Sequence, residues 1–393
     1  RNRFGKVNWK KINDDAKKIL LDLGADFDPG IPVSQLSVRE QQLVEICKAI
    51  STNAKVLIMD EPTAALPSSE VQNMFSLIRI LKQRGVAVVF ISHRMQEIEQ
   101  ICDRVTVLRD GVNVAVVEMD KNNIDYVISM MIGRQLDDYY PHSRRVRGND
   151  TLIVDGLLGD NVQNVSFKVG KGEVLGLYGL AGAGVTDVAE MIMGLKPFTG
   201  GTITFEGKQI VSGSTKVSLE SGIGYVPSDR AREGVIVNMP IDQNTILANL
   251  KKYVKKPFLD YRKISNSVAD HIEKLKIKCA SQTQDVRNLS GGNQQKVVLA
   301  KWMDRNPRLL VLNEPTRGVD VGAKREIYLL INELANAGLS ILVISSELPE
   351  ILGISDKIVV MCRGQVSGVY DNVDLQQDEL LKAASQIKTE GVA

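Results

Sequence analysis

The sequence predicts an α/β protein built as two tandem copies of one doubly wound module, and three observations lead there. The chain has 393 residues, enough for two or three domains with sizeable cores. Short β-branched apolar runs alternate with helical stretches. The chain also repeats itself at one offset of 253 residues. That offset carries Leu36-Ser37 onto Leu289-Ser290, Gln41-Gln42 onto Gln294-Gln295 and Lys48 onto Lys301. It also carries Glu61-Pro62-Thr63 onto Glu314-Pro315-Thr316, Ile91-Ser92 onto Ile344-Ser345, Asp103 onto Asp356 and Gly111 onto Gly364. So many ungapped matches identify two copies of one unit.

Each element follows in order. Lys55–Met59, Val86–Ile91, Arg308–Leu312 and Ser340–Ile344 are nearly continuous apolar runs and read as buried parallel strands. Glu70–Arg84 and Lys324–Ala337 read as the intervening helices. A strand beginning at residue 151, after the polar segment Pro141–Asp150, sets the module boundary: 1–140, a linker at 141–150, and 151–393. Residues 151–225, rich in short strands and glycine turns, read as a β subdomain. The second copy has 138 residues ahead of its Leu-Ser mark and the first only 35. The first module is therefore expected to be incomplete, with about 100 of its residues ahead of Arg1 and with apolar strand faces left exposed.

Composition excludes several classes. With 44% hydrophobic, 24% charged and 5% aromatic residues the chain is neither disordered nor fibrous. The balance of 49 Lys+Arg against 47 Asp+Glu calls for no nucleic acid, and the small clusters at Lys251–Lys256 and Arg144–Arg147 read as solvated surface. Its 4 cysteines include no C-x-x-C pair, so reduced thiols are expected rather than disulfides or a metal cluster. The longest apolar runs, Val86–Ser92 and Leu339–Ser345, are too short to cross a bilayer, and the opening RNRFGKVNWK has no signal-like apolar core.

Three motifs carry chemistry. Gly179-Leu180-Ala181-Gly182-Ala183-Gly184-Val185-Thr186 lies between the strand Glu173–Tyr178 and the helical stretch Asp187–Met193, the spacing of a phosphate loop at a helix N-terminus. Val185 stands at the lysine position, so the loop lacks its main cation. A strand ending in Asp60-Glu61 suits a water-held Mg²⁺ and the polarising of an attacking water, because ligands of open α/β sheets bind outside the carboxyl ends of the strands. Helix capping would explain an isolated pair of acids, but not their recurrence, nor His93 at the end of the next strand, one of 3 histidines. Finally, Ser290-Gly291-Gly292 opens the helical stretch Gln294–Met303 as a compact anion site, with Leu289-Ser290 standing 24 residues before Asn313-Glu314-Pro315-Thr316.

Together, the phosphate loop, Leu289–Gln295 (LSGGNQQ), the strand ending in an EPT triplet and the strand-end histidine resemble the ATP-binding subunits of ABC transporters. The tandem arrangement and the stretch EPTRGVDVGAKREIY resemble the monosaccharide-import class, and Arg3-Phe4-Gly5 with Tyr140-Pro141-His142 its ribose type. The resemblance implies an ATPase at the cytoplasmic face of the membrane, with ATP and Mg²⁺, coupled to membrane sugar permease subunits and through them to an external sugar-binding protein. A second ATPase copy, or the paired modules, completes the assembly, and no nucleic acid is involved. Ser228–Asn249 is the expected permease-docking segment.

It further implies that each ATP lies between one module's phosphate loop and the other's signature. In the competent site Asp60 would hold Mg²⁺, Glu61 would polarise the water, His93 would touch the γ-phosphate, and Ser290, Gly291 and Gly292 would close on the ATP. The other site would combine Gly179–Thr186, with Thr186 toward the metal, Asn313, Glu314 and Leu36-Ser37-Val38-Arg39-Glu40. It departs from the pattern at Val185, at Asn313 in place of the metal aspartate, at Ser346 in place of the histidine, and at Val38-Arg39-Glu40 in place of the glycines. That site is expected to hold nucleotide weakly and hydrolyse little. Residues 1–393 alone are expected to lack turnover, because the phosphate-loop lysine facing Glu61 falls ahead of Arg1. The competing reading is an ABC-type regulatory or scaffold module without catalysis, against which Glu61, His93 and the intact Ser290-Gly291-Gly292 argue.

Overall fold

The computed structural model describes residues 7–22, 27–52, 54–63, 68–92, 94–109, 111–119, 124–132, 140, 145, 147–255 and 257–386. Two compact units divide the chain, 1–134 and 135–393.

In the first unit, α1 (Trp9–Asp22) and α2 (Val38–Ser51) precede β1 (Val56–Asp60), α3 (Ser68–Gln83), β2 (Ala87–Ile91) and α4 (Met95–Ile101). β3 (Arg104–Arg109), β4 (Val112–Glu118) and α5 (Ile124–Ile132) follow. β1 and β2 form a parallel pair with Val56 opposite Ala87, and β3 and β4 an antiparallel one. Alternation along a strand sends Leu57 and Met59 to the core face with Phe75, Ile78 and Leu81 of α3. On the opposite face Val56 and Ile58 are 56% and 67% exposed, and Val89 and Ile91 are exposed beside them.

The second unit begins with β5 (Asp150–Gly159), β6 (Val162–Gly170), β7 (Val174–Gly179), α6 (Val185–Met193), β8 (Gly200–Phe205) and β9 (Lys208–Gln209). Next come α7 (Thr215–Glu220), β10 (Ile223–Val226), α8 (Ile241–Ile246), the hairpin β11 (Val254–Lys255) and β12 (Phe258–Leu259), and α9 (Tyr261–Lys274). The chain continues through α10 (Gly291–Met303), β13 (Leu309–Asn313), α11 (Val321–Asn336) and β14 (Ser340–Ile344). It ends with α12 (Leu348–Ile354), β15 (Lys357–Cys362), β16 (Gln365–Asp371) and α13 (Gln377–Ser385). A six-stranded sheet in the order β10-β13-β14-β7-β15-β16, parallel except for edge strand β16, is the doubly wound core. An antiparallel sheet, β6-β5-β8-β9, is the β subdomain read from residues 151–225. β13 and β14 are buried throughout, as continuous apolar strands of parallel sheets are.

The repeat holds at the level of single residues. Shifting β1, α3, β2, α4, β3, β4 and α5 by 253 residues gives the printed ends of β13, α11, β14, α12, β15, β16 and α13. The register follows too, with Leu309 opposite Ser340 as Val56 is opposite Ala87.

Three readings shift. β1 and β13 run one residue further than the apolar pattern suggested, so Asp60 and Asn313 are the last residues of their strands. α10 starts at Gly291 rather than Gln294: first-turn N–H groups need no partner four residues back, so two glycines cost little there. The second unit also gathers in part of the segment read as a linker. Arg145 forks onto Asp356 at 2.8 and 2.9 Å and bonds Asn332, and Tyr140 stacks on Tyr328 with ring centroids 5.3 Å apart.

Candidate functional site

The carboxyl ends of the parallel strands carry the candidate chemistry. In the first unit β1 delivers Asp60 as its last residue and Glu61 immediately after, with Glu61 N–H bonded to Ile91 O at 2.9 Å. Glu61 sits in the left-handed region at φ 45°, and its repeat partner Glu314 at φ 50°, with Glu314 N–H on Ile344 O at 2.8 Å. A non-glycine residue held there twice is strained backbone, which concentrates where function fixes a side chain's direction. His93 lies outside the described residues, as do Arg3-Phe4-Gly5 and Pro141-His142.

In the second unit β7 ends at Gly179 and α6 begins at Val185, placing Leu180–Gly184 as the turn between them. Gly184 caps the helix in the left-handed region at φ 86°, where a Cβ would stand 2.2 Å from Asn161 O, so only glycine fits. The first helical bond runs from Val188 N–H to Gly184 O, leaving earlier N–H groups for an anion. Val185 packs against the hydrophobic core. The lysine further along, Lys196, is committed to Asp187 and Glu190 at 2.7 and 2.9 Å, which push its pKa up.

Around this turn the second unit carries Asn313 and Glu314 where the first has Asp60 and Glu61. Asn313 is 1% exposed; its amide donates to Tyr225 Oη at 3.3 Å, while Oδ1 has no hydrogen-bond partner among the described residues. Such a buried oxygen at a strand's carboxyl end fits a metal-bound water, though more weakly than a carboxylate would. Both oxygens of Glu314 are engaged by Ser346, Oε1 by its N–H at 2.8 Å and Oε2 by its hydroxyl at 3.3 Å. Burial raises the Glu314 pKa against these bonds.

The two signature segments also part company. Ser37 and Glu40 form a capping box: Glu40 Oε2 accepts from Ser37 N–H at 2.8 Å and from its hydroxyl at 2.7 Å, and Glu40 N–H donates to Ser37 Oγ at 3.3 Å. A carboxylate thus covers the start of α2. Ser290 caps α10 without a side-chain bond to its N–H groups, its hydroxyl accepting from Asn293 Nδ2 at 2.9 Å. A Cβ on Gly291 would meet Arg230 Nη2 at 2.7 Å and Gly318 O at 2.9 Å, so the glycine is needed for close packing.

Sequence reasoning missed that Arg230. It stands in the π-helical turn Arg230–Gly234 and donates to Arg317 O at 2.6 Å, Gly318 O at 3.0 Å and Gln294 Oε1 at 3.4 Å, tying the signature helix to the loop after β13. No spacing pattern announces contacts across 64 to 88 residues. It also missed Glu97 and Glu350, buried on α4 and α12 and related by the repeat offset, which could have found them.

Comparison with known proteins bears on the whole chain. The ABC transporter family profile matches residues 2–64 and 162–317. Ribose import ATP-binding protein RbsA of Geobacillus kaustophilus is 46% identical over 384 residues, spanning 98% of this chain and 78% of that protein. The chain belongs to the ABC transporter ATPase family. The Clostridium perfringens protein of the same name, from strain 13, is 43% identical over 382 residues, 97% of this chain and 76% of its own. Among solved structures, a nucleotide-free ATP-binding cassette from an ABC transporter superposes with a TM-score of 0.51 at 21% identity, over 60% of this chain and 95% of that one. An ABC transporter cassette in its ADP conformation gives a TM-score of 0.51 at 22% identity, over 60% and 95%. These two show the cassette fold.

Glu350 lends the second cassette a pH dependence. Burial, then the neighbouring Glu347 carboxylate, push its pKa from 4.5 to about 7, against Ser345, Lys324 and Thr316. The folded state keeps a proton the unfolded chain has lost, so stability falls as pH rises from about 4.5 to about 7 and is level above, by about 3 kcal/mol in all. Glu350→Gln keeps an acceptor for the Thr316 hydroxyl, which lies 2.7 Å from Oε1. Urea unfolding should find the variant more stable than its parent at pH 8 and nearly equal at pH 4.5.

Proposed function

We propose that this chain is the ATP-hydrolysing subunit that powers import of a ribose-type monosaccharide through a membrane permease, acting at the cytoplasmic face. The observation that carries the reading is the strand end Asp60-Glu61, held in the left-handed backbone that Glu314 repeats, in a chain 46% identical to a ribose import ATP-binding protein. No helix among the described residues is long and apolar enough to cross a membrane, which suits a subunit whose permease supplies the pathway. That permease receives the sugar from an external binding protein, and Ser228–Asn249, which includes the turn carrying Arg230, is the segment proposed to dock on it.

Within this reading the two cassettes supply unequal chemistry. Asp60 would hold Mg²⁺ through water, and the ion neutralises phosphate charge when bound. Glu61 orients and polarises the attacking water, and His93 contacts the γ-phosphate. Ser290, Gly291 and Gly292 offer nucleotide a helix start free of any covering carboxylate. Gly179–Thr186, with Thr186 and Asn313 toward the metal, would hold a second ATP weakly. Glu314, bonded at both oxygens within its own cassette, hydrolyses little there.

Reconstitution in liposomes with permease and binding protein tests the reading. ATP hydrolysis should rise several-fold when ribose is added to the binding protein, and uptake should require ATP. Hydrolysis indifferent to every monosaccharide, or a complex that forms but never hydrolyses ATP, would replace it with the scaffold reading.

A further inference from the structure

We propose that Glu97 is a positioning residue for hydrolysis, a buried carboxylate that locks the loop carrying Glu61 to the residues that follow β2. Its Oε2 accepts from Thr63 Oγ1 at 2.7 Å and from Ser92 Oγ at 2.9 Å, and its Oε1 accepts from Arg94 Nη1 at 3.1 Å. Thr63 is two residues after Glu61, and Ser92 and Arg94 flank position 93. Arg94 closes the ring, its N–H donating to Ser92 Oγ at 3.0 Å and Nη1 reaching Thr63 O at 3.4 Å. Glu97 and Thr63 are 5% and 1% exposed, so the carboxylate and the Thr63 hydroxyl sit out of water, with Arg94 closing the ring from a partly exposed position. Charge-assisted bonds of this kind are short and directional, and they fix the loop on which the Glu61 side chain rides.

The second cassette repeats the device with one change. Thr316 Oγ1 donates to Glu350 Oε1 at 2.7 Å, and Ser345 Oγ accepts from Glu347 N–H at 3.0 Å. There, however, Glu347 stands where the first cassette has Arg94, and Lys324 spends its charge on Glu347 at 2.5 and 2.6 Å. Glu350 Oε2 is left without a hydrogen-bond partner among the described residues. The arginine-closed ring therefore belongs to the cassette that carries Glu61.

The proposal rests on Glu61 being the water-polarising residue, so Glu61→Gln is run alongside Glu97→Ala, Glu97→Gln and Thr63→Val in steady-state hydrolysis by the full-length protein with its permease. Glu97→Ala and Thr63→Val should lower kcat about tenfold or more with KM for ATP within about twofold, because positioning acts on the reacting water rather than on nucleotide binding. Glu97→Gln, which still accepts both hydroxyl bonds, should keep most of the activity. Unchanged kcat in Glu97→Ala and Thr63→Val, a Glu97→Gln loss as large as that of alanine, or KM rising in step with the fall in kcat would each overturn the assignment. If Glu97→Ala fails to fold, the near-isosteric Thr63→Val decides. An active Glu61→Gln enzyme would overturn the site reading itself; an inactive one beside unaffected Glu97 and Thr63 variants would remove only this inference.

Discussion

Glu61→Gln is expected to abolish ATP hydrolysis by the full-length protein, by two to three orders of magnitude or more, while Glu314→Gln changes it less than about twofold. Loss of a water-orienting carboxylate in phosphoryl transfer removes several kcal/mol of transition-state stabilisation. The two glutamates have the same backbone, φ 45° and φ 50°, and equivalent N–H bonds to Ile91 O and Ile344 O, so local distortion does not separate them. Their neighbours in sequence do: Ser346 occupies the position that His93 holds in the first cassette. The residue before each differs as well: the carboxylate of Asp60 carries the charge a metal ion prefers, and the amide of Asn313 does not. Phosphate release over time, with equal nucleotide binding verified for both variants, measures the asymmetry. Comparable losses from the two substitutions would mean that both cassettes hydrolyse, and the unequal-site reading would fall.

The repeat made most of the fold legible. A period of 253 residues fixes two equal sets of elements before any propensity is weighed, and the structure keeps that period to the residue in seven elements. The strands β13 and β14 were readable because buried parallel strands are continuously apolar, and β1 and β2 carry the same pattern although one face of each is exposed; the strand ends were not readable, since Asp60 and Asn313 are polar residues that the ladder nonetheless includes. Local geometry was legible where contiguous residues set it, as at the turn between β7 and α6 and at the glycine start of α10. It was illegible where chemistry depends on groups distant in sequence. Glu97 lies 34 residues from the Thr63 hydroxyl it accepts, and Arg230 lies 87 and 88 from the carbonyls it holds. The charge in the first signature was visible, and the Ser37–Glu40 capping box that holds it is a local pattern that could have been read directly.

The weak site is expected to be restorable by two substitutions, Val185→Lys with Asn313→Asp, raising Mg-ATP affinity of the chain about tenfold or more. On the proposed reading the parent's deficit is electrostatic: the loop between β7 and α6 has the glycines that closing on phosphate would need, yet Val185 turns an apolar side chain to the core and Lys196 is spent on Asp187 and Glu190. Asn313→Asp alone should behave differently with and without metal. Its carboxylate would keep an oxygen that has no hydrogen-bond donor among the described residues, in a site 1% exposed, and place a second oxygen where Nδ2 now lies 3.3 Å from Tyr225 Oη. Burying that charge costs on the order of a few kcal/mol unless a cation answers it. The single variant should therefore unfold at lower temperature than its parent in the absence of nucleotide and regain that loss when Mg-ATP is added, whereas ATP with chelator should not rescue it. Ligands that bind only the folded state stabilise by mass action, so the rescue grows with Mg-ATP concentration. Adding Val185→Lys supplies the β- and γ-phosphates with the missing cation and should turn rescue into measurable affinity by calorimetry. Unchanged affinity in the double variant would put the limit in loop geometry, with Ala183, packed against Gly179, as the next position to change.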